Sequence, residues 1–172
     1  MVECPELTKG NKKMAITETQ KRINDMKAVI NMKPELKGDY EIAQVFLKVA
    51  GEQLLAEQDP HAAFALAEIM AKVATGHSDD KLRWYAGHEL AQTALHTGND
   101  DLSALVLTTQ YDRALHDTDT VVRGNASYYV GAIAEKHPAL LPDAKQKLQT
   151  LNTESTDSKV LHNADAWLKL IR

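Results

Sequence analysis

The sequence has few of the residues on which several protein classes depend. Cysteine occurs once in 172 residues, at Cys4, so an internal disulfide framework and a cysteine-based zinc site are both ruled out. Aromatic residues make up only 5% of the chain. No run of about 18 apolar residues could span a bilayer, and no strand-like alternation of apolar and polar residues occurs. These absences point away from disulfide-stabilised, membrane-spanning and all-β proteins.

Basic charge and phosphate-binding motifs are also scarce. The formal net charge is −4, which argues against a nucleic-acid binder, because such proteins depend on a basic field. Neither a P-loop, a dinucleotide-binding glycine loop nor a G-x-S-x-G nucleophile motif is present. The first residues, "MVECPELTKGNKKM", are polar and do not resemble a signal peptide. We therefore expect a cytoplasmic protein without a cofactor.

Apolar residues recur three and four positions apart almost throughout, which predicts an all-α fold. In "DPHAAFALAEIMAKVATG", Asp59 can cap a helix, Pro60 can take its first position and Gly76 can end it. Short connectors predict antiparallel hairpins. Eight helices are expected, at about 16–32, 40–57, 59–76, 79–98, 101–115, 119–136, from Pro138 or Pro142 onward, and 157–171.

Every second helix repeats one pattern. The sixth helix begins Asp119, Val122, Ala126, Val130, and similar residues recur about 40 positions away in the second, fourth and eighth helices. The aspartate can cap the helix by accepting hydrogen bonds from free N–H groups of the first turn. The aliphatic residues form a buried stripe, and the alanine allows close approach of a neighbouring helix. The four expected caps are Asp39, Asp79, Asp119 and Asp157.

A two-helix unit of about 40 residues whose second helix opens D-x-x-V-R-x-x-A resembles a HEAT repeat. The segment "DTDTVVRGNASYYVGAIAEKHPALL" carries the resemblance best, and "DDKLRWYAGHELAQTAL" follows it. The resemblance implies a right-handed α-α superhelix of four hairpins whose second helices line the concave side, where partners bind. It covers one domain, residues 15–172, behind a polar and poorly ordered arm, residues 1–14. The expected units are 16–57, 59–97, 100–136 and 138–171.

The seven histidines do not match the spacing of a metal site. His88-Glu89 is followed by Gln92, whereas a zinc protease helix needs a second histidine at that position. HEAT-like metal-dependent hydroxylases use several His-Glu pairs, and this chain has one. His116-Asp117 is similar to the paired ligands of HD-type phosphohydrolases, but it lies at an expected helix end. We therefore expect no metal ligands and no catalytic residues.

The remaining candidates lie on the second helices. Equivalent positions form two lines, one through Gln44, Trp84, Gly124 and His162, the other through Lys48, His88, Tyr128 and Ala166. Tryptophan, tyrosine and arginine are enriched at binding hot spots. The alternative is that Trp84 and Tyr128 only fill space between repeats. The candidate partner-binding residues are Arg83, Trp84, His88, Arg123, Tyr128 and His162.

These observations predict a non-catalytic HEAT-like module that binds a protein or peptide on its concave face, as an adaptor, scaffold or inhibitor. The oligomeric state and the partner stay open. The alternative is an enzyme on the same scaffold, either a nucleobase glycosylase of the alkylation-repair type or a metal-dependent hydroxylase. For the glycosylase, Trp84, Arg83, Arg123 and Tyr128 supply only a thin version of the basic, aromatic channel required.

Overall fold

The computed structural model describes the backbone of residues 8–171 and the side chains of residues 18–171. The described part of the chain is about 85% helical and contains eight α-helices and no strand. None of these helices combines the length and the apolar character needed to cross a bilayer. The helices are α1 (Thr8–Ile30), α2 (Lys37–Ala56), α3 (Pro60–Gly76), α4 (Asp80–His96), α5 (Asp100–His116), α6 (Thr120–Lys136), α7 (Leu141–Glu154) and α8 (Ser158–Leu170), with a 3-10 turn, Pro138–Leu140, before α7.

Five three-residue linkers share one local geometry. In each of them, the side chain of the first residue accepts a hydrogen bond from the backbone N–H of the third, at 2.9 to 3.2 Å. In all five, the third residue is an aspartate or asparagine whose side chain caps the next helix. The first four of these linkers precede α3, α4, α5 and α6, which are each 17 residues long. The linkers are residues 57–59, 77–79, 97–99, 117–119 and 155–157.

Three of the four expected caps act as caps. Asp79 accepts from the N–H of Leu82 at 3.1 Å, and Asp119 accepts from two first-turn N–H groups at 2.8 and 2.9 Å. Asp157 accepts from the N–H of Lys159 at 2.9 Å. Each carboxylate therefore satisfies donors that an α-helix leaves free at its start.

Asp39 differs, because α2 begins at Lys37 and Leu36 is its N-cap. The Asp39 carboxylate lies in the first turn and accepts from the N–H groups of Glu35 and Leu36, both at 3.1 Å. The register of α2 is shifted accordingly. Ile42, the expected counterpart of the buried Leu82 and Val122, is 50% exposed, while Ala43 is buried.

The helices pack as a stack of hairpins in two layers. Each helix contacts its hairpin partner, and the second helices meet in the order α2, α4, α6, α8. The first helices meet in the order α1, α3, α5, α7. This nearest-neighbour packing fits a helical repeat, and the apolar core lies between the layers, with Ala86, Ala126 and Ala164 fully buried in the second helices.

The start of the chain departs from the expected boundaries. The first helix begins at Thr8 rather than near residue 16, so residues 8–14 of the expected arm belong to α1. The rest of that arm, residues 1–7, lies outside the described residues.

A candidate partner-binding surface on the second helices

Five aromatic rings from three successive second helices form a continuous row. Trp84 stacks on His88, with ring centroids 5.1 Å apart and planes 5° apart. His88 meets Tyr129 of α6 edge-on at 6.0 Å, and Tyr128 lies 5.6 Å from Tyr129. Tyr128 also lies 5.8 Å from Trp167 of α8. We call Trp84, His88, Tyr128, Tyr129 and Trp167 the aromatic row.

Hydrogen bonds fix the centre of the row. The Tyr129 hydroxyl lies 2.9 Å from Nδ1 of His88, and the Gln92 side-chain amide donates to the same hydroxyl at 3.3 Å. Burial raises the pKa of Tyr129, so its hydroxyl stays protonated and able to donate at neutral pH. Contacts within the chain itself therefore hold His88 and Tyr129 together at the centre of the row.

The rings of the row differ in their exposure to solvent. Tyr128 is 49% exposed, and Trp84 and His88 are half-buried. Trp167 is only 9% exposed, because its indole lies on Gly131 of α6. A β-carbon at Gly131 would come within 2.1 Å of Cγ of Trp167. Trp84, His88 and Tyr128 thus face solvent, whereas Trp167 is mostly buried and packs against Tyr128.

Two grooves flank the row and share Val121. Groove A, of about 350 Å³, lies between α4 and α6 beside Trp84. Groove B, of about 390 Å³, lies between α6 and α8 beside Tyr128. At the repeat position of Trp84, α6 has Gly124, which lines groove B and contributes no side chain to it. Groove A is lined by Asp80, Lys81, Trp84, Tyr85, Asp119, Val121 and Val122; groove B is lined by Val121, Gly124, Asn125, Tyr128, Ser158, Lys159, His162 and Asn163.

Arg83 points into the stack instead of toward the grooves. Its guanidinium donates to both carboxylate oxygens of Asp117, at 2.8 and 2.9 Å, and to the backbone oxygen of His77 at 2.8 Å. Burial alone would raise the pKa of Asp117, but the hydrogen bonds from Arg83 and from the Asp119 N–H outweigh it and lower that pKa. The pair joins the second unit to the linker of the third.

Arg123 occupies the equivalent position one unit later. It donates to Oδ2 of Asp157 at 2.9 and 3.3 Å and to the backbone oxygen of Asp117 at 2.7 Å. One unit earlier, the Tyr40 hydroxyl donates to Asp79 at 2.7 Å. These three contacts form a ladder along the linker edge of the stack. The geometry of Arg83 and Arg123 is that of links between units.

Arg113 is a buried cation between α4 and α5 that the sequence did not single out. Its guanidinium donates to Gln110 at 2.7 Å and to the backbone oxygen of Arg83 at 2.9 Å, while its Nε has no partner. Burial lowers its pKa to about 10. A β-carbon at Gly87 would lie 1.6 Å from Nη1 of Arg113. Gly87 thus provides the space for this side chain.

The structure brings together four of the six candidate binding residues. Trp84 lines groove A, Tyr128 and His162 line groove B, and His88 stacks on Trp84. Sequence reasoning missed Tyr129 and Trp167, although both occupy the repeat position of Glu89. A third line drawn through that position would have found them. It also missed Lys159 and Val121, because their role depends on the glycine at position 124.

Ser103, His137 and the more exposed Asp100 have the connectivity of a hydrolase triad. Oγ of Ser103 lies 3.0 Å from Nε2 of His137, and Nδ1 of His137 lies 2.8 Å from Asp100. However, Nε2 also lies 2.7 Å from the backbone oxygen of Ala94, which can only accept. Nε2 must therefore carry a hydrogen and cannot act as a base toward Ser103, which is fully buried. The trio ties the end of α6 to α4 and α5.

Potential metal ligands are dispersed over the molecule. Within the part of the chain that the structure describes, no three histidine, cysteine, aspartate or glutamate side chains lie close enough together to hold an ion.

Comparison with known proteins gives no assignment, since no protein-family model matches the chain and no curated protein sequence is detectably similar to it.

Proposed function

We propose that this protein is a non-catalytic, HEAT-like repeat module that binds a protein or peptide partner across the aromatic row, as an adaptor, scaffold or inhibitor. The observation that carries the proposal is the row itself: rings from α4, α6 and α8 meet although more than 80 residues separate Trp84 from Trp167 in sequence. Aromatic anchors beside grooves are typical of binding hot spots.

The opposite layer offers a poorer surface for recognition. The groove between α3 and α5 is larger, about 720 Å³, but its lining contains one phenylalanine, Phe64, and no tryptophan or tyrosine. Tyrosine and tryptophan combine an apolar ring with a polar hydrogen-bonding group. This combination suits a surface that is hydrated in the free protein and loses its water when a partner binds. The second-helix surface is therefore the better candidate despite its smaller grooves.

The test compares three forms of the full chain: wild type, Trp84→Ala with Tyr128→Ala, and the control Phe64→Ala. Each is immobilised and used to capture proteins from cells that express the chain, after circular dichroism and thermal melting. Truncating such an anchor costs about 2 kcal/mol or more of binding. We expect a specific protein to be retained by wild type and Phe64→Ala and lost by the double variant.

Two results would contradict the proposal. Equal capture by all three folded forms would place the binding surface elsewhere. Loss of helical structure in the double variant would mean that the rings serve the core, which is the alternative reading of Trp84 and Tyr128.

A further inference from the structure

We propose that the partner segment is acidic: one of its carboxylates binds in groove B beside Lys159 and His162, about three residues from an apolar side chain held in groove A. This inference rests on the proposed function and specifies the chemistry of the same surface.

Groove B presents hydrogen-bond donors and no carboxylate. Of its eight lining residues, Lys159 carries a positive charge and Tyr128, Ser158 and His162 each have a polar hydrogen to donate. The Asn163 amide group already donates to the backbone oxygen of Gly124 and to Ser127, at 2.8 and 3.1 Å. These donors suit a ligand group that accepts several hydrogen bonds at once, as a carboxylate does.

Lys159 is free to bind such a group. Lys81 lies over the ring of Tyr40 at 4.8 Å, and Lys169 pairs with Asp165. Lys159 forms no ion pair with any carboxylate of residues 18–171. Its aliphatic stem lies across Gly124, where a β-carbon would come within 3.2 Å of its Cβ and Cδ. A stem that packs against the backbone has less rotamer freedom to lose when its ammonium group is fixed by a ligand.

The carboxylates near the two grooves set the orientation of the partner. Asp157, the acid next to groove B, is neutralised by Arg123 at 2.9 Å and by its capping hydrogen bonds. Groove A, in contrast, is lined by Asp80 and Asp119. Its one lysine, Lys81, lies over the ring of Tyr40, so the charge of the lining is net negative. The acidic group is therefore favoured in groove B and disfavoured in groove A, where Trp84, Val121 and Val122 can contact an aliphatic or aromatic side chain.

The helix spacing predicts the separation of the two groups in the partner. Packed helices lie about 8–10 Å apart, so grooves on the two sides of α6 are separated by about that distance. An extended peptide advances about 3.3 Å per residue, and about three residues cover the gap. A nucleic-acid phosphate is a poor alternative occupant, because the net charge is −4 and groove B holds only one lysine.

The test uses a displayed library of random twelve-residue peptides, selected on the wild-type chain and counter-selected on Trp84→Ala with Tyr128→Ala. We expect enriched peptides to contain Asp or Glu about three positions from Leu, Ile, Phe or Trp. A synthetic peptide of that kind should lose about tenfold or more in affinity for Lys159→Glu. The matched control Lys72→Glu makes the same charge change at an exposed position of α3. It should leave the affinity for the peptide unchanged.

Lys159→Glu should fold, because glutamate is favoured in the first turn of a helix. If Lys159→Glu does not fold, Lys159→Met removes the same positive charge without adding a negative one. We then expect a smaller loss of affinity for the peptide. Peptides that depend on Trp84 and Tyr128 but are neutral or basic would overturn the inference and leave the proposed function standing. If the selection yields no peptide whose binding depends on those two rings, the result would count against both the inference and the proposed function. Binding of a single-stranded oligonucleotide that Lys159→Glu abolishes, without peptide enrichment, would also overturn the inference.

Discussion

The junction between the second and third units and the junction between the third and fourth each use an arginine at the same repeat position, but the two arginines bind different residues of the next linker. Arg83 binds Asp117, the first residue of its linker, whereas Arg123 binds Asp157, the third residue of its linker. At the first junction, Arg83 and Asp117 are buried, with side chains 9% and 2% exposed. At the second junction, Arg123 and Asp157 are 23% and 8% exposed. The arginine–aspartate pair is therefore buried at the first junction and partly solvated at the second.

The space left by glycine is also used differently. Gly87 accommodates the guanidinium of Arg113, which faces into the stack, whereas Gly131 accommodates the indole of Trp167, which supports Tyr128 at the surface. At the first junction, the polar side chains of Arg83, Asp117 and Arg113 thus bind groups of neighbouring helices and linkers. The second presents rings and a groove to solvent.

The largest expected difference between the junctions concerns the two arginines. Arg83→Met leaves the buried Asp117 carboxylate without its partner and should reduce the free energy of unfolding by about 3–5 kcal/mol. Arg123→Met removes a more solvated pair and should cost about 1 kcal/mol. Urea titration followed by circular dichroism measures both, and equal losses would show that burial does not distinguish the two pairs.

A methyl group at Gly131 should have the next largest effect. The clash meets ring atoms of Trp167 next to its Cβ, which cannot move unless the indole leaves its site or α8 shifts. We expect Gly131→Ala to cost about 2–4 kcal/mol. Gly76→Ala is the matched control, since no atom lies within 4 Å of the added carbon. A melting temperature of Gly131→Ala equal to that of the control would refute the close packing.

Gly87→Ala should cost less, about 1–3 kcal/mol, because the clash meets the end of the flexible Arg113 side chain. The double variant with Arg113→Met isolates the cause. If the guanidinium is what the methyl group displaces, the alanine should have almost no effect in the Arg113→Met background. An undiminished cost in that background would mean that the added methyl group disturbs α4 itself, which a double-mutant cycle detects.

The smallest expected effect is that of acid. Burial raises the pKa of Asp157, but the Lys159 N–H and Arg123 outweigh it, so the pKa values of Asp117 and Asp157 both lie below the ordinary value. Groups with a lowered pKa in the folded state stabilise the protein above their unfolded pKa, about 3.9, and lose that contribution as pH falls through the folded value. Stability should therefore drop below about pH 4, and less steeply in Arg83→Met.

The sequence predicted the helices of the middle units well, because strong local signals mark them. Asp59, Asp79 and Asp119 are the N-caps of α3, α4 and α6, within a residue of where the pattern placed them. The prediction failed at Asp39, since an aspartate at the third position of a helix can reach back to the chain before it as well as cap from outside. Periodicity alone does not separate these two geometries.

The candidate site was only partly predictable, because the sequence does not fix the angle at which each second helix faces its neighbour. Trp84 and Tyr128 were found from residue type and repeat position. Arg83 and Arg123 have the same signature of a hot spot, but each lies 34 residues before the aspartate to which it is bound. That recurring Arg-to-Asp interval was the available signal of a link between units.

The position of a bound partner on the aromatic row can be measured directly by fluorescence. Trp84 and Trp167 are the two tryptophans of the chain, so Trp167→Phe leaves Trp84 as the single reporter. Acrylamide quenching of Trp84 is recorded with and without a saturating peptide selected from the displayed library. If the partner segment covers groove A, quenching of Trp84 falls on binding. Quenching that is unchanged at saturation would contradict the assignment of the second-helix surface as the binding site.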